Sequence, residues 1–450
     1  MSRERPINAD VPSSEKGEGR QAEAAKPPAP PAKPPRRPRR QIPGALKGMA
    51  ALVVLAIVFI VAAVVGGSGG GSADEEPTGP APVTSSSGSN EPERDAEPGS
   101  ESTTDLGFPA FATNNTTRIG GSDPAENAAA TALAVFPSTT PSQRPAAVAL
   151  ADEAEWQGAI AAAVLMAPPV RAPLLLSVDG ELPEASSEAL AALDPQGGPD
   201  TGGAAYLAIG EVGAPADREV ARAGGRDPAA IAAAVARLRE KLNGDAPKHF
   251  VLAPISAPGL AMPAAAWAAR SGDPVLFTGT GKLPKATAAA LREHPKAPVY
   301  VLGPSSAIDS AVVRAVEKIG NEAHRVSGED PIANAVAFSR YADGSFGWNV
   351  NDPGHGFVLA RDEDPLTAAA VAPLSASGTW GPLLLTDNAA TLPAAVRDYF
   401  LDVKPGYTDD PTRAFYNHVW VIGDQEAIDV NQQAEASELA ELAKIGGEGQ

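Results

Sequence analysis

Hydrophobic residues between positions 118 and 435 fall into short unbroken runs that alternate with Ala-rich stretches of helical length. The runs AAVALA (146–151), HFVLAP (249–254) and GFVLAR (356–361) each precede such a stretch: WQGAIAAAVLMA, MPAAAWAAR and DPLTAAAVAPLSA. An apolar run behind a proline comes next, starting at Pro173, Pro274 and Pro382. The pairs Leu182-Pro183, Leu283-Pro284 and Leu392-Pro393 then open another helix. A run ending in glycine closes each series at Gly210, Gly303 and Gly423. Short apolar runs without polar alternation predict strands buried on both faces. Their alternation with helices predicts a parallel sheet covered on both sides. Each series reads helix, strand, helix, strand, helix, strand, helix.

The opening of each series repeats as well. Arg118 begins RIGGSDPAENAAATA, Arg222 begins RAGGRDPAAIAAAVA and Arg325 begins RVSGEDPIANAVAFS, so all three fit R-x-[GS]-G-x-D-P. The starts lie 104 and 103 residues apart, the length of a small α/β domain. The motif predicts a turn followed by a helix. Gly121, Gly225 and Gly328 are expected to free the backbone at the turn. Asp123, Asp227 and Asp330 are placed as N-caps, with Pro124, Pro228 and Pro331 at the first helical position. The fold class expected is therefore α/β: three tandem repeats, each a small parallel sheet covered by helices. Their boundaries are 118–221, 222–324, and 325–450 including a C-terminal tail.

Residues 49–65, MAALVVLAIVFIVAAVV, carry no charge and no helix breaker. With the flanking glycines the run reaches about 20 residues, enough to span a bilayer core as a helix. Lys33, Arg36, Arg37, Arg39, Arg40 and Lys47 precede it, and Asp74, Glu75 and Glu76 follow. This asymmetry predicts a single-pass anchor with a cytoplasmic N-terminus. A cleaved signal peptide competes with this reading, but its apolar region would be shorter and followed by an A-x-A-like site. Residues 1–48 read as a disordered basic tail. Residues 66–117 read as a disordered acidic stalk too poor in large apolar side chains to offset its ordering entropy. The bilayer is thus one expected partner.

Charge and cysteine usage narrow the rest. The whole chain carries −19, and the part beyond the stalk is near −17, which argues against nucleic acid as a partner. Cysteine is absent, so neither disulfides nor thiol chemistry is available. A large extracellular part without disulfides suits a bacterial cell envelope.

The repeats resemble the bacterial cell wall binding repeat 2 family. That family opens its modules with R-[IL]-[SA]-G-x-[DN]-R-[YF]-x-T-A, then carries a P-L-L-L strand and a V-x-[IV]-[IL]-G-G strand. Here RIGGSDPAENAAATA, APLLLS and YLAIG match in the first copy, and RAGGRDPAAIAAAVA, DPVLFT and VYVLG in the second. RVSGEDPIANAVAFS, GPLLLT and VWVIG match in the third. The Arg-aromatic pair after the Asp is replaced by Pro plus a variable residue in all three. The resemblance implies three modules in a pseudo-threefold body, held non-covalently on a cell-wall glycan or anionic polymer in the wall space. Several weak sites on a repeating polymer gain avidity. An acidic protein on an anionic polymer would need local basic pockets, divalent cations or a neutral glycan.

Candidate ligand contacts are the repeated Arg118, Asp123, Arg222, Asp227, Arg325 and Asp330, together with Asp364 in the acidic run after GFVLAR. The arginines could equally form structural ion pairs within or between units. Asp364 and the similarly placed Asp152-Glu153 could equally stabilise a helix N-terminus. Trp156, Trp267 and Trp380 recur in or near the second helix, with Trp348 and Trp420 nearby, where they could stack on sugars or pack the interior.

Catalysis has no local signature. His249, His294, His324, His355 and His418 are scattered, with no H-E-x-x-H, G-x-S-x-G or GxxxxGK[ST]. The chain is therefore expected to bind or scaffold, with no catalytic residue, metal or cofactor. The alternatives are a tethered solute or sugar receptor and, less favoured, a wall-modifying hydrolase.

Overall fold

A computed structural model describes residues 114–445. The basic tail, the apolar run at 49–65 and most of the acidic stretch lie outside the described residues. No helix among the described residues is long and apolar enough to cross a membrane.

The described residues open with β1 (Thr116–Ile119) and α1 (Pro124–Val135). The first repeat continues with β2 (Val148–Asp152), α2 (Trp156–Ala162), β3 (Leu174–Ser177), α3 (Glu184–Leu193) and β4 (Tyr206–Ile209). β5 (Val220–Ala223) and α4 (Pro228–Asn243) open the second repeat. It continues with β6 (Phe250–Pro254), α5 (Pro258–Ser271), β7 (Val275–Thr278), α6 (Lys285–Glu293), β8 (Val299–Leu302) and α7 (Ser310–Ile319). β9 (Ala323–Val326) and α8 (Pro331–Arg340) open the third. It runs through β10 (Gly356–Arg361), α9 (Pro365–Ala370), α10 (Ala372–Ala376), β11 (Leu383–Thr386), α11 (Ala394–Asp402), β12 (Gly406–Tyr407), β13 (His418–Ile422), α12 (Val430–Ala440) and β14 (Ala443–Lys444).

Three four-stranded parallel sheets result, ordered β3-β2-β4-β5, β7-β6-β8-β9 and β11-β10-β13-β1. Strands β3, β4, β7, β8 and β11 are short and wholly buried, as their unbroken apolar character requires. A fully buried Leu or Val contributes roughly 1.5–3 kcal/mol, so even four-residue strands hold their place.

Two features depart from the predicted series. The first is that each arginine lies in a strand rather than in a turn, and that strand joins the sheet of the preceding repeat. β5, with Arg222, is the edge of the first sheet, and β9, with Arg325, is the edge of the second. β1, with Arg118, closes the third sheet some 300 residues further along, pairing Arg118 with Val421. The second departure is in the first repeat, where β4 and β5 are joined without a helix, whereas α7 and α12 fill the corresponding places in the other two.

Helices lock the sheets together. α2, α5 and α9, the second helix of each repeat, touch one another pairwise. Each opening helix also packs across a junction: α1 on α9, α4 on α2, α8 on α5. Alanine makes this close approach possible, and Ala261, Ala264, Ala265, Ala268 and Ala269 of α5 are all fully buried.

The motif glycines act differently from the expectation. Gly121, Gly225 and Gly328 do not adopt positive φ. At Gly328 a Cβ would lie 2.2 Å from the carbonyl carbon of Ala333, and at Gly225 it would lie 2.6 Å from the amide nitrogen of Ile231. These two glycines are required because the turn passes directly over the first turn of the helix.

Candidate functional site

The four aspartates picked from the sequence are helix caps. Asp123, Asp227 and Asp330 accept the amide N–H of Glu126, Ala230 and Ala333 at 2.8, 2.8 and 2.7 Å. Asp364 does the same for Thr367 at 3.0 Å. Asp152 accepts from Ser177 Oγ at 2.7 Å and from the Gly180 amide at 2.9 Å, so it organises its own turn.

The three arginines share one geometry and differ in depth. Each reaches from its edge strand to carbonyls just beyond the neighbouring central strand. Arg118 donates to the carbonyls of Gly423 (2.8 Å), Asp424 (2.6 Å) and Ile428 (2.6 Å), and twice to Gln433 Oε1. It is 3 % exposed. Burial pulls its guanidinium below the ordinary value, against the opposing pull of Asp424 and Asp429. Arg325 donates to Gly303 (2.5 Å) and Ile308 (2.7 Å). Arg222 is exposed and donates to Val212 alone, at 3.0 Å. The partners are backbone carbonyls and, for Arg118, the Gln433 side-chain amide oxygen, not the carboxylates that an ion pair would supply.

None of these seven residues lines either of two cavities in the structure. Both cavities open at the amino ends of the parallel strands, opposite the carboxyl ends where ligands of open α/β sheets usually sit. The first, about 350 Å³, lies beside Phe136, Arg144 and Arg171 in the first repeat. Its cations are partly committed: Arg171 sits 5.9 Å over the Phe136 ring, and Arg144 pairs with Asp194.

The second cavity, about 310 Å³, is a groove between the second and third repeats. Lys248 and His249 enter it just before β6, Asp273 just before β7, and Trp380 just before β11. The end of α5 contributes Trp267, Arg270 and Ser271, and the loop after α8 contributes Ser345, Gly347 and Trp348. Two indoles, Trp348 and Trp380, lie nearly parallel with centroids 6.2 Å apart. The Arg270 guanidinium stands 4.4 Å over Trp380. Beneath them the buried Asp273 carboxylate accepts Trp267 Nε1–H at 2.9 Å and faces His249 Nδ1 at 3.2 Å. His249 Nε2 faces Ser345 Oγ at 3.2 Å.

This groove joins the half-buried Trp380, backed by the buried Trp348, to the exposed cations Lys248 and Arg270, groups that a sugar ring bearing negative charge would use. Of the tryptophans that recur in the sequence, Trp267 and Trp380 line the groove, joined by the nearby Trp348. Lys248, His249, Arg270, Asp273 and Ser345 were not singled out as a group. They come from separate loops and the end of α5, with His249 and Ser345 96 positions apart, and no local spacing betrays them. Among the described residues, no cluster of three or more His, Cys, Asp or Glu could hold a metal ion.

Comparison with known proteins agrees with this architecture. Residues 222–313 match the family described as Cell wall binding domain 2 (CWB2). No curated protein matches the chain. Among solved structures, Cwp6 from Clostridium difficile superposes with a TM-score of 0.56 at 19 % identity, over 73 % of this chain and 48 % of that one. Cwp8 from Clostridium difficile gives 0.55 at 18 %, over 73 % of this chain and 52 % of that one. The chain thus spans about half the length of the solved structures it matches, and at these identities the likeness is one of fold. Residues 222–313, within the second repeat, thus match the cell wall binding domain 2 model, and the fold of the chain resembles that of Cwp6 and Cwp8.

Proposed function

We propose that the chain is a cell-wall-associated protein that holds a wall glycan or anionic polymer non-covalently, and that the groove between the second and third repeats is one of its binding sites. The observation that carries this is the groove that gathers Trp348 and Trp380 with Arg270, which stacks on Trp380, and Lys248, both cations lying within the segment that matches the wall-binding family. A net charge of −19 repels an anionic polymer at long range. At 0.15 M salt that field is screened within about 8 Å, so a local pair of cations on an aromatic floor governs contact. In this reading the groove's own cations do the work otherwise left to bridging divalent ions. The apolar run at 49–65 tethers the protein as a single-pass anchor, with the basic N-terminus cytoplasmic and the repeats in the wall space.

Co-sedimentation of the full-length chain with purified wall fractions tests the site. Arg270→Ala combined with Trp380→Ala should weaken retention about tenfold, consistent with loss of a cation–π and a stacking contact. Retention unchanged in the double variant would move the site elsewhere. Protease added to intact cells should release the repeats as a stable fragment; protection of the repeats would overturn the topology.

A further inference from the structure

We propose that Ser345, His249 and Asp273 form a hydrolytic triad that removes a short O-acyl group from a saccharide lying in the groove between the second and third repeats. Atom placement assigns the roles. A carboxylate accepts hydrogen bonds and cannot donate them, so Asp273, 3.2 Å from His249 Nδ1, holds the proton on that nitrogen. The lone pair is then on Nε2, which faces Ser345 Oγ at 3.2 Å. That is the tautomer and order a Ser-His-Asp constellation requires, and such constellations are recognised by geometry rather than sequence order.

Each member is held from behind. Asp273 is 4 % exposed, receives the Trp267 indole N–H at 2.9 Å, and has its own amide bound to Ser271 Oγ at 3.0 Å. The His249 ring is clamped edge-on by Tyr300 and Phe346, with centroids 5.8 and 5.7 Å away. Ser345 is exposed at the tip of a two-residue turn closed by paired Asp343–Phe346 backbone bonds of 2.8 and 2.9 Å. Gly344 takes the positive φ this turn needs, +60°; Gly347, just beyond it, has φ +99°, and a Cβ there would lie 2.3 Å from the Tyr341 carbonyl oxygen. The amides of Ser345 and Gly347 donate to no group among the described residues. They are the donors beside the nucleophile that a developing oxyanion would need.

The bond broken is an ester. Ser345 Oγ attacks the carbonyl carbon and its proton passes to His249 Nε2. The tetrahedral intermediate collapses, and the departing saccharide oxygen takes that proton and leaves as an alcohol. Water then attacks the acyl-serine, giving its proton to Nε2. Collapse releases the carboxylic acid and returns the proton to Oγ. Ser345 and His249 are catalytic residues, and Asp273 is a positioning residue. That the alcohol is a saccharide rests on the binding proposed above; the triad itself does not.

The test uses the full-length chain, a fluorophosphonate probe and 4-nitrophenyl acetate. The probe should modify Ser345, identified by mass spectrometry of its peptide, and hydrolysis should fall at least about 100-fold in Ser345→Ala. This side chain is exposed, so the fold is retained. Asp273→Asn should lower kcat far more than it changes KM, because it spoils the tautomer without touching substrate. Absence of label on Ser345, or equal hydrolysis by Ser345→Ala, would overturn the triad even where wall retention persists. Labelling of Ser345 together with unchanged retention in the Arg270→Ala/Trp380→Ala variant would support the triad and remove the saccharide site.

Discussion

Arg118 and Arg222 occupy the same position in the same motif, yet one is buried with five hydrogen bonds and the other is exposed with one. The difference lies in the segment that leaves the neighbouring central strand. After β13 the chain enters α12, whose Gln433 and preceding Ile428 carbonyl close over the guanidinium. After β4 there is no helix, and Val212 alone accepts. Arg325, backed by the Ile308 carbonyl ahead of α7, stands between the two. A repeated residue therefore does not carry a repeated energy: the motif places the arginine, and the covering helix sets what it contributes.

The largest expected effect is at the buried member. Arg118→Ala strands several buried carbonyls and should cost about 3–5 kcal/mol in denaturant unfolding. A loss below about 1 kcal/mol would mean that the closure of the third sheet does not depend on it. Next comes acid sensitivity in the same sheet. Burial pushes the His418 imidazole down to about 4, and its Nε2 has no partner among the described residues. The unfolded state thus binds the extra proton first. Stability is full above pH 6.5 and falls as pH drops towards 4, by about 3 kcal/mol from this group. His418→Gln should flatten that part of the pH–stability curve relative to the parent, and an unchanged curve would refute the assignment.

The caps come next, because their contribution is local. Asp227→Ala should cost about 1 kcal/mol, seen as a small shift in the unfolding midpoint with no change in slope. Smallest is Arg222→Ala, expected under about 0.5 kcal/mol as for other exposed substitutions. If it matched Arg118→Ala, the account based on the covering helix would fail.

The cavities offer a second contrast. Sequence reasoning looked to the carboxyl ends of strands, where Asp152 and Asp364 stand, and there the carboxylates are consumed by their own turns and caps. The groove lies at the opposite ends, where three loops and a helix terminus meet. Trp380 is visible as a recurring aromatic, with Trp348 nearby, but nothing near His249 signals that Ser345 faces it. A hydrogen bond between residues 96 positions apart leaves no periodicity behind it.

By itself the sequence determined the number of repeats, the parallel α/β character and the caps. Strand burial, Asp capping and proline at the first turn are written within three or four neighbouring residues, and those local preferences survive folding unchanged. Tertiary structure alone decided that each arginine strand serves the preceding sheet, that β1 closes the third sheet across more than 300 residues, and that His249, Asp273 and Ser345 share one groove. These depend on how the helices and sheets pack around one another, and that arrangement is fixed by which buried surfaces fit together rather than by any short stretch of chain.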